Sequence, residues 1–263
     1  MRWRWRSLDD NLESPGVAHR DEILAYTDEL LSVAAFPEFG PAGAQVLGAD
    51  EVGSLVCGVS SSRELFERAA SLGAKLVLVH HGLFWRNEPL VVDRRLRGRL
   101  QALFDADITL AAYHLPLDAH PELGNNAQLA RRLRVEPEGS FGGIGLGGSL
   151  PEPVGIDAFA ERVRAAVDRE PLVLPYGPAE IRRVAISTGA AGHDLVQAAR
   201  EGFDLFLTGE AEEPNLHSAK ELGIHFVAGG HYATERLGVQ ALGEHLAERF
   251  GLAWTFVELP NPV

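Results

Sequence analysis

Sulfur is nearly absent from this sequence: 263 residues include one cysteine, Cys57, and one methionine. A single cysteine excludes a disulfide within the chain and any cluster of thiolates around a metal. Cys57 lies in the apolar run SLVCGV and reads as a small core residue. Basic residues are also scarce, 24 Lys and Arg against 37 Asp and Glu, for a formal net charge of -13. That field is poor for holding nucleic acid, although a local basic patch is compatible with it. Arg94, Arg95, Arg97 and Arg99 cluster in one stretch and read as a solvated helix face. No apolar run approaches the roughly 20 residues that span a membrane. The opening MRWRWRSLDD lacks the apolar segment of a secretory signal. The sequence predicts a disordered or extended tail over residues 1–20 and a cytoplasmic setting.

What is present is 46% hydrophobic residues, ten histidines and a repeated order of elements. DEILAYTDELLSVAA (21–35) has helical spacing, and FPEFGPAGAQVLG reads as a loop. LVCGVS, AKLVLV and TLAAYH read as buried strands separated by helices over SSRELFERAASLG and GRLQALFDADI. A helix over GNNAQLARRLRV leads to GSFGGIGLGGSLPEPVG, whose glycines suggest a junction between lobes. After a helix (DAFAERVRAAVDRE) and a short strand (PLVLPYG), RRVAISTG, FDLFLTGE and IHFVAGG read as strands alternating with helices. GVSSSRELFERAASLGAKLVLVHHG then aligns with ISTGAAGHDLVQAAREGFDLFLTGE almost without a gap, which indicates duplication. The expected fold is α/β: two related lobes, each a sheet covered by helices, spanning residues 21–138 and 139–263. The last helix and strand are allowed to pack back on the first lobe.

Open α/β sheets bind ligands at the carboxyl ends of their strands. There the sequence puts His80 and His81, His114 and Asp118, Glu210, and His231 and Glu235. His80, His81, Asp118, His231 and Glu235 are nitrogen and oxygen ligands suited to a divalent first-row metal. His231 and Glu235, four apart at a helix start, share a face. Gly229 and Gly230 just before them would let the backbone come close. The set exceeds the needs of one tetrahedral zinc and suits two ions about 3.5–4 Å apart with a bridging carboxylate. Glu210 is either a general base for a bound water or an orienter of a ligand. His114, His193 and His217 are further candidates for supporting a ligand or touching substrate. His225 reads as structural, His120 as a turn residue or a supporting one, and His19 and His245 as surface residues. STGAAGHD is either an anion-holding turn or a plain strand-to-helix turn; it meets neither nucleotide fingerprint.

LVHHGLFW, HLPLDAHPELGNNAQLA, STGAAGHDLVQAA, LTGE and AGGHYATERLGVQAL resemble the motifs of the Nif-three-like dinuclear metal centre family. Its bacterial members are commonly labelled GTP cyclohydrolase I type 2 homologues. The resemblance runs roughly from Asp21 to Glu258 and is to the short bacterial branch. It implies two divalent ions per chain, held by His80, His81, Asp118, His231 and a bridging Glu235. It also implies two α/β lobes with the site in the cleft between them, and a ring-shaped homohexamer. One departure is AGAQV (42–46), where the family shows Asn-Gly-Leu-Gln-Val: Gln45 is kept and Ala42 replaces Asn.

The sequence therefore predicts a metal-dependent hydrolase acting on a small molecule. The family label suggests a nucleotide, with the imidazole ring of GTP opened at C8. Zinc, manganese, iron, cobalt or nickel suits the donors. The alternatives are a metal-handling protein and a nucleic-acid- or protein-interaction ring without turnover. A polyanionic substrate would require the metals and nearby arginines to offset the charge of an acidic chain. Neighbouring strand residues face opposite ways. The strand is therefore expected to end near Val79, with His80 and His81 each on a different ion.

Overall fold

The computed structural model describes residues 16–263; the MRWRWR stretch lies outside the described residues. The chain runs β1 (Ala18–His19), α1 (Arg20–Leu30), β2 (Gly43–Val46), β3 (Glu51–Val52), β4 (Ser54–Ser60), α2 (Arg63–Ser71), β5 (Leu76–His81), α3 (Arg94–Ala106), β6 (Thr109–Ala112), α4 (Leu115–Asp118) and α5 (Asn125–Leu133). It continues through β7 (Glu136–Phe141), β8 (Gly145–Val154), α6 (Ile156–Val167), β9 (Leu172–Pro175), β10 (Ile181–Ser187), α7 (Leu195–Arg200), β11 (Leu205–Thr208), α8 (Asn215–Leu222), β12 (His225–Ala228), α9 (His231–Phe250) and β13 (Ala253–Phe256).

Two mixed sheets form the α/β fold. The first has the order β13-β4-β5-β6-β2, and the second β7-β8-β10-β11-β12-β9. In each, three consecutive strands run parallel: β4, β5 and β6 in one, β10, β11 and β12 in the other. In each, the strand that precedes the trio returns antiparallel to its last member, β2 on β6 and β9 on β12. This shared order and direction is what a duplication leaves behind.

Strands covered on both faces read as continuous apolar runs, which is why LVLV and LFLT are strands. Leu76 and Leu78 pack with Leu55, Cys57 and α9 on one side of the first sheet. Val77 and Val79 pack with α2 and α3 on the other. In the second sheet Leu205 and Leu207 face α5 and α6, and Phe206 faces α7 and α8. Each such side chain stabilises the fold by about 1.5–3 kcal/mol. α9 belongs to both lobes: Ala233 and Leu237 enter the second core, while Val239, Leu242 and Leu246 enter the first.

Several local expectations are corrected. Residues 18–19 are not tail: they pair with β3. The helix expected over 21–35 stops at Leu30, because Ser32 turns left-handed at φ 51° before a single 3-10 turn. FPEFGPAGAQVLG contains an edge strand, β2, paired to β6. The Gly-rich stretch is not a junction but the hairpin of β7 and β8 at the edge of the second sheet. Its glycines are there for close approach: a Cβ at Gly147 would lie 2.7 Å from the Phe203 ring, and one at Gly148 would lie 2.4 Å from the Glu136 carbonyl. The division expected between 138 and 139 falls inside β7.

Candidate metal centre

β5 does not stop at Val79. It runs to His81, which pairs with Ser60 of β4, so both histidines are strand residues. His80 is fully buried and His81 lies on the opposite face, as alternation requires. Both still reach one group because they sit at the last positions of the strand, where Glu235 lies across its end. His80 Nε2 is 3.6 Å from Glu235 Oε1, and His81 Nε2 is 3.0 Å from Oε2.

Each imidazole is aimed by a bond at its other nitrogen. His80 Nδ1 donates to the Tyr113 carbonyl at 2.9 Å, just past β6. His81 Nδ1 meets the Ser60 hydroxyl at 3.0 Å. His231 Nδ1 donates to Glu210 Oε1 at 2.5 Å. All three Nε2 atoms then point at Glu235, with His231 Nε2 2.9 Å from Oε2. This is how metal-ligating histidines are commonly held.

Two groups of three share Glu235. His80, Asp118 and Glu235 lie together, and so do His81, His231 and Glu235; His80, His81 and His114 make a third group. Asp118 Oδ2 is 3.4 Å from His80 Nε2. Among the described residues, His80 Nε2, His231 Nε2 and Glu235 Oε2 are buried without a hydrogen-bond partner, although the last two are close neighbours. Atoms aimed at one point, rather than at each other, leave this pattern. A buried polar atom without a partner costs about 1–3 kcal/mol. The donor set and these orphaned atoms fit a metal ion, and the groups could hold one.

The electrostatics agree. Burial opposes charge on His80, yet Asp118 and Glu235 outweigh it and hold its imidazolium well above the ordinary value. Burial also opposes ionisation of Glu235, yet His80, His231 and His81 hold its carboxyl well below the usual range. His231, despite burial, is pushed up to about 9 by Glu235 and Glu210. His81 goes the other way, lowered because burial exceeds the pull of Glu235. Two buried carboxylates demand positive charge at this point, and protons or a cation meet that demand alike.

Sequence reasoning missed the residues that hold Asp118. Asn125 donates to Asp118 Oδ1 at 2.8 Å and accepts from Gly238 N–H of α9 at 2.6 Å. Asn126 donates to the Asp118 and Ile144 carbonyls and accepts from Thr188 N–H. It also missed Glu38, which accepts from Leu115 N–H and lies 3.3 Å from His114 Nδ1. An acid between Phe36 and Phe39 in FPEFGP was the available signal. The glycine that nears the centre is Gly189, not the 229–230 pair: its φ is +72°, and a Cβ there would lie 2.1 Å from Glu235 Oε1. Gly230 is required instead by its φ of +96° and by Arg169 beside it.

The other candidates separate. His114 reaches the centre, its ring 4.9 Å from that of His80. His193 is exposed at the rim, 3.5 Å from both Asp194 and Glu212. His217 is exposed on α8 and is not among the residues lining the cleft. His225 accepts from Gly177 N–H and donates to the Pro178 carbonyl, a structural role. His120 caps a turn through Glu122 and Leu123 N–H. In STGAAGHD the N–H groups of Thr188, Gly189 and Ala191 are taken by Asn126, Thr234 and Thr208. Gln45 accepts from Leu83 N–H and donates to the Pro41 carbonyl, tying its loop to GLFW beside His80.

Two sheets with strand ends converging on a buried His/Asp/Glu cluster define an α/β protein with a candidate metal centre. The chain belongs to the Duf34/NIF3 (NGG1p interacting factor 3) family, whose model matches residues 18–262. A relative from Pseudomonas aeruginosa, named GTP cyclohydrolase 1 type 2 homolog, is 48% identical over 246 residues, covering 91% of this chain and 97% of its own. Among solved structures, protein ybgI, described as of unknown function, superposes with a TM-score of 0.91 at 43% identity, over 94% of this chain and 100% of its own. TTHA1606 from Thermus thermophilus does so at 0.87 and 34%, with the same coverage. Among the described residues no helix is long and apolar enough to cross a membrane.

Proposed function

We propose that this chain is a hydrolase working with a pair of divalent ions. The carrying observation is the shared carboxylate: Glu235 Oε1 faces His80, and Oε2 faces His81 and His231. On this reading His80, Asp118 and Glu235 hold one ion, and His81, His231 and Glu235 the other. Two such ions, when bound, make water nucleophilic near neutral pH and polarise the attacked group. Glu210 orients His231 through Nδ1, its Oε1 accepting at 2.5 Å. Asn125 and Asn126 fix Asp118 from behind, and Glu38 steadies His114 at the cleft wall.

The reaction class assigned is ring-opening hydrolysis of a nitrogen heterocycle, in line with the name of the relatives. For a guanine ring, one water cleaves the bond from C8 to N9 and leaves a formamide. A second water splits that formamide into formate and an amine. The test is elemental analysis of protein purified without chelator, followed by formate measurement with GTP and with guanosine. Two ions per chain are expected, with formate from at least one substrate above a Glu235→Ala background. Fewer than one ion per chain after reconstitution, or no formate from either, overturns the reading.

Assembly into a ring-shaped homohexamer in the cytoplasm belongs to the same proposal. The exposed run of Leu90, Val91 and Val92 supports self-association. Light scattering is expected to give six chain masses; a monomer at micromolar concentration would refute the ring.

A further inference from the structure

Beside the candidate ligands lies a cleft of about 680 Å³, room for a drug-sized molecule. Apart from its histidines, its charged side chains are all acidic. Asp118, Asp194 and Glu235 line it with four histidines, and among the described residues no lysine or arginine does. A triphosphate is normally held by arginine or lysine, by a row of free backbone N–H groups or by metal ions, and of these only the ions of the proposed centre would be at hand here. The Gly-rich turn at the cleft could have supplied such a row. Three of its N–H groups, those of Thr188, Gly189 and Ala191, are instead bonded to Asn126, Thr234 and Thr208, which interrupts the row.

The remaining lining suits a flat ring. The Trp85 indole N–H donates to the Gly82 carbonyl, so the side chain offers the cleft only its apolar surface. Phe39, Leu115 and Ile144 extend the apolar wall. Asp194 lines the cleft too, with a quarter of its side chain exposed. A carboxylate there accepts from two adjacent N–H donors at once. The Thr188 hydroxyl, also lining the cleft, is buried without a partner. It is a second polar group left for a ligand.

We propose that the cleft selects a flat, uncharged nitrogen heterocycle that lays its ring on Trp85 and presents adjacent N–H donors to Asp194, and that it is not built for a nucleoside triphosphate. This rests on the two-metal hydrolase reading, which fixes where the attacked ring must lie. Guanosine and GTP isolate the point because they differ only in the triphosphate. Calorimetric titration of the metal-loaded full chain, with magnesium to occupy the triphosphate, is expected to give guanosine an affinity no weaker than that of GTP. Asp194→Asn and Trp85→Leu should each weaken guanosine at least tenfold, with melting temperature and metal content unchanged. GTP binding tenfold tighter than guanosine, no binding of guanosine, or wild-type affinity in Asp194→Asn would overturn the proposal. Metal content measured on the same samples separates the failures. A chain with two ions that prefers GTP sinks the ligand class alone. A chain that binds guanosine through Asp194 without any ion sinks the hydrolase reading alone.

Discussion

At position 189 the requirement for glycine is geometric. The left-handed φ and the 2.1 Å approach of an added methyl to Glu235 leave no room for a side chain. Gly189→Ala should push Glu235 aside and weaken metal binding at least tenfold, read by chelator competition; unchanged affinity would show that Glu235 is not a ligand. Asn125 is a different kind of residue, a buried amide serving Asp118 and the backbone of α9 together. Asn125→Ala leaves two buried groups without partners and should cost about 2–4 kcal/mol in denaturant unfolding. An effect under about 0.5 kcal/mol would mean that the amide is dispensable. The histidines and acids at strand ends were legible because their chemistry is rare among apolar neighbours. Asn125, Glu38 and Gly189 were not, since each acts on groups that only the fold brings beside it, which composition does not encode.

Among the elements, the parallel strands and most helices were readable from continuous apolar runs, caps and glycine stops. β2 and the β7–β8 hairpin were not. Their glycines and prolines mimic loop composition, while in the fold Gly147 and Gly148 admit the Phe203 ring and a neighbouring backbone. α9 shows a similar need at Gly243, where a Cβ would lie 2.4 Å from Cys57 Sγ and 3.1 Å from the Trp254 ring. Gly243→Ala should lift α9 from β4 and cost about 1–3 kcal/mol. Adding Cys57→Ala should recover part of that loss, a coupling measurable in a double-mutant cycle. Strict additivity would show that the two sites do not touch.

At the scale of the molecule, the centre joins the two lobes: His80, His81 and Asp118 come from one set of strand ends, and His231 and Glu235 from the other. Stripping metal should therefore loosen the whole fold. Each ion held at about a thousandfold above its dissociation constant would add about 4 kcal/mol, so losing even one should lower the melting point by about 10 °C in a chain of this size. An unchanged melting point would deny the centre a structural role. The duplication was visible in the sequence, but the sharing of α9 between the lobes was not, because its apolar residues face both cores.

That sharing sets an order in time. β4 gains its outer neighbour only from residues 253–256, and His80 and His81 meet Glu235 only once α9 exists. A growing chain that has passed residue 120 has therefore made β4, β5, β6 and β2, but the outer edge of β4 is still bare and His80 and His81 still lack their carboxylate. The cluster closes only after α9 has been synthesised, so its assembly reports that both lobes have been made.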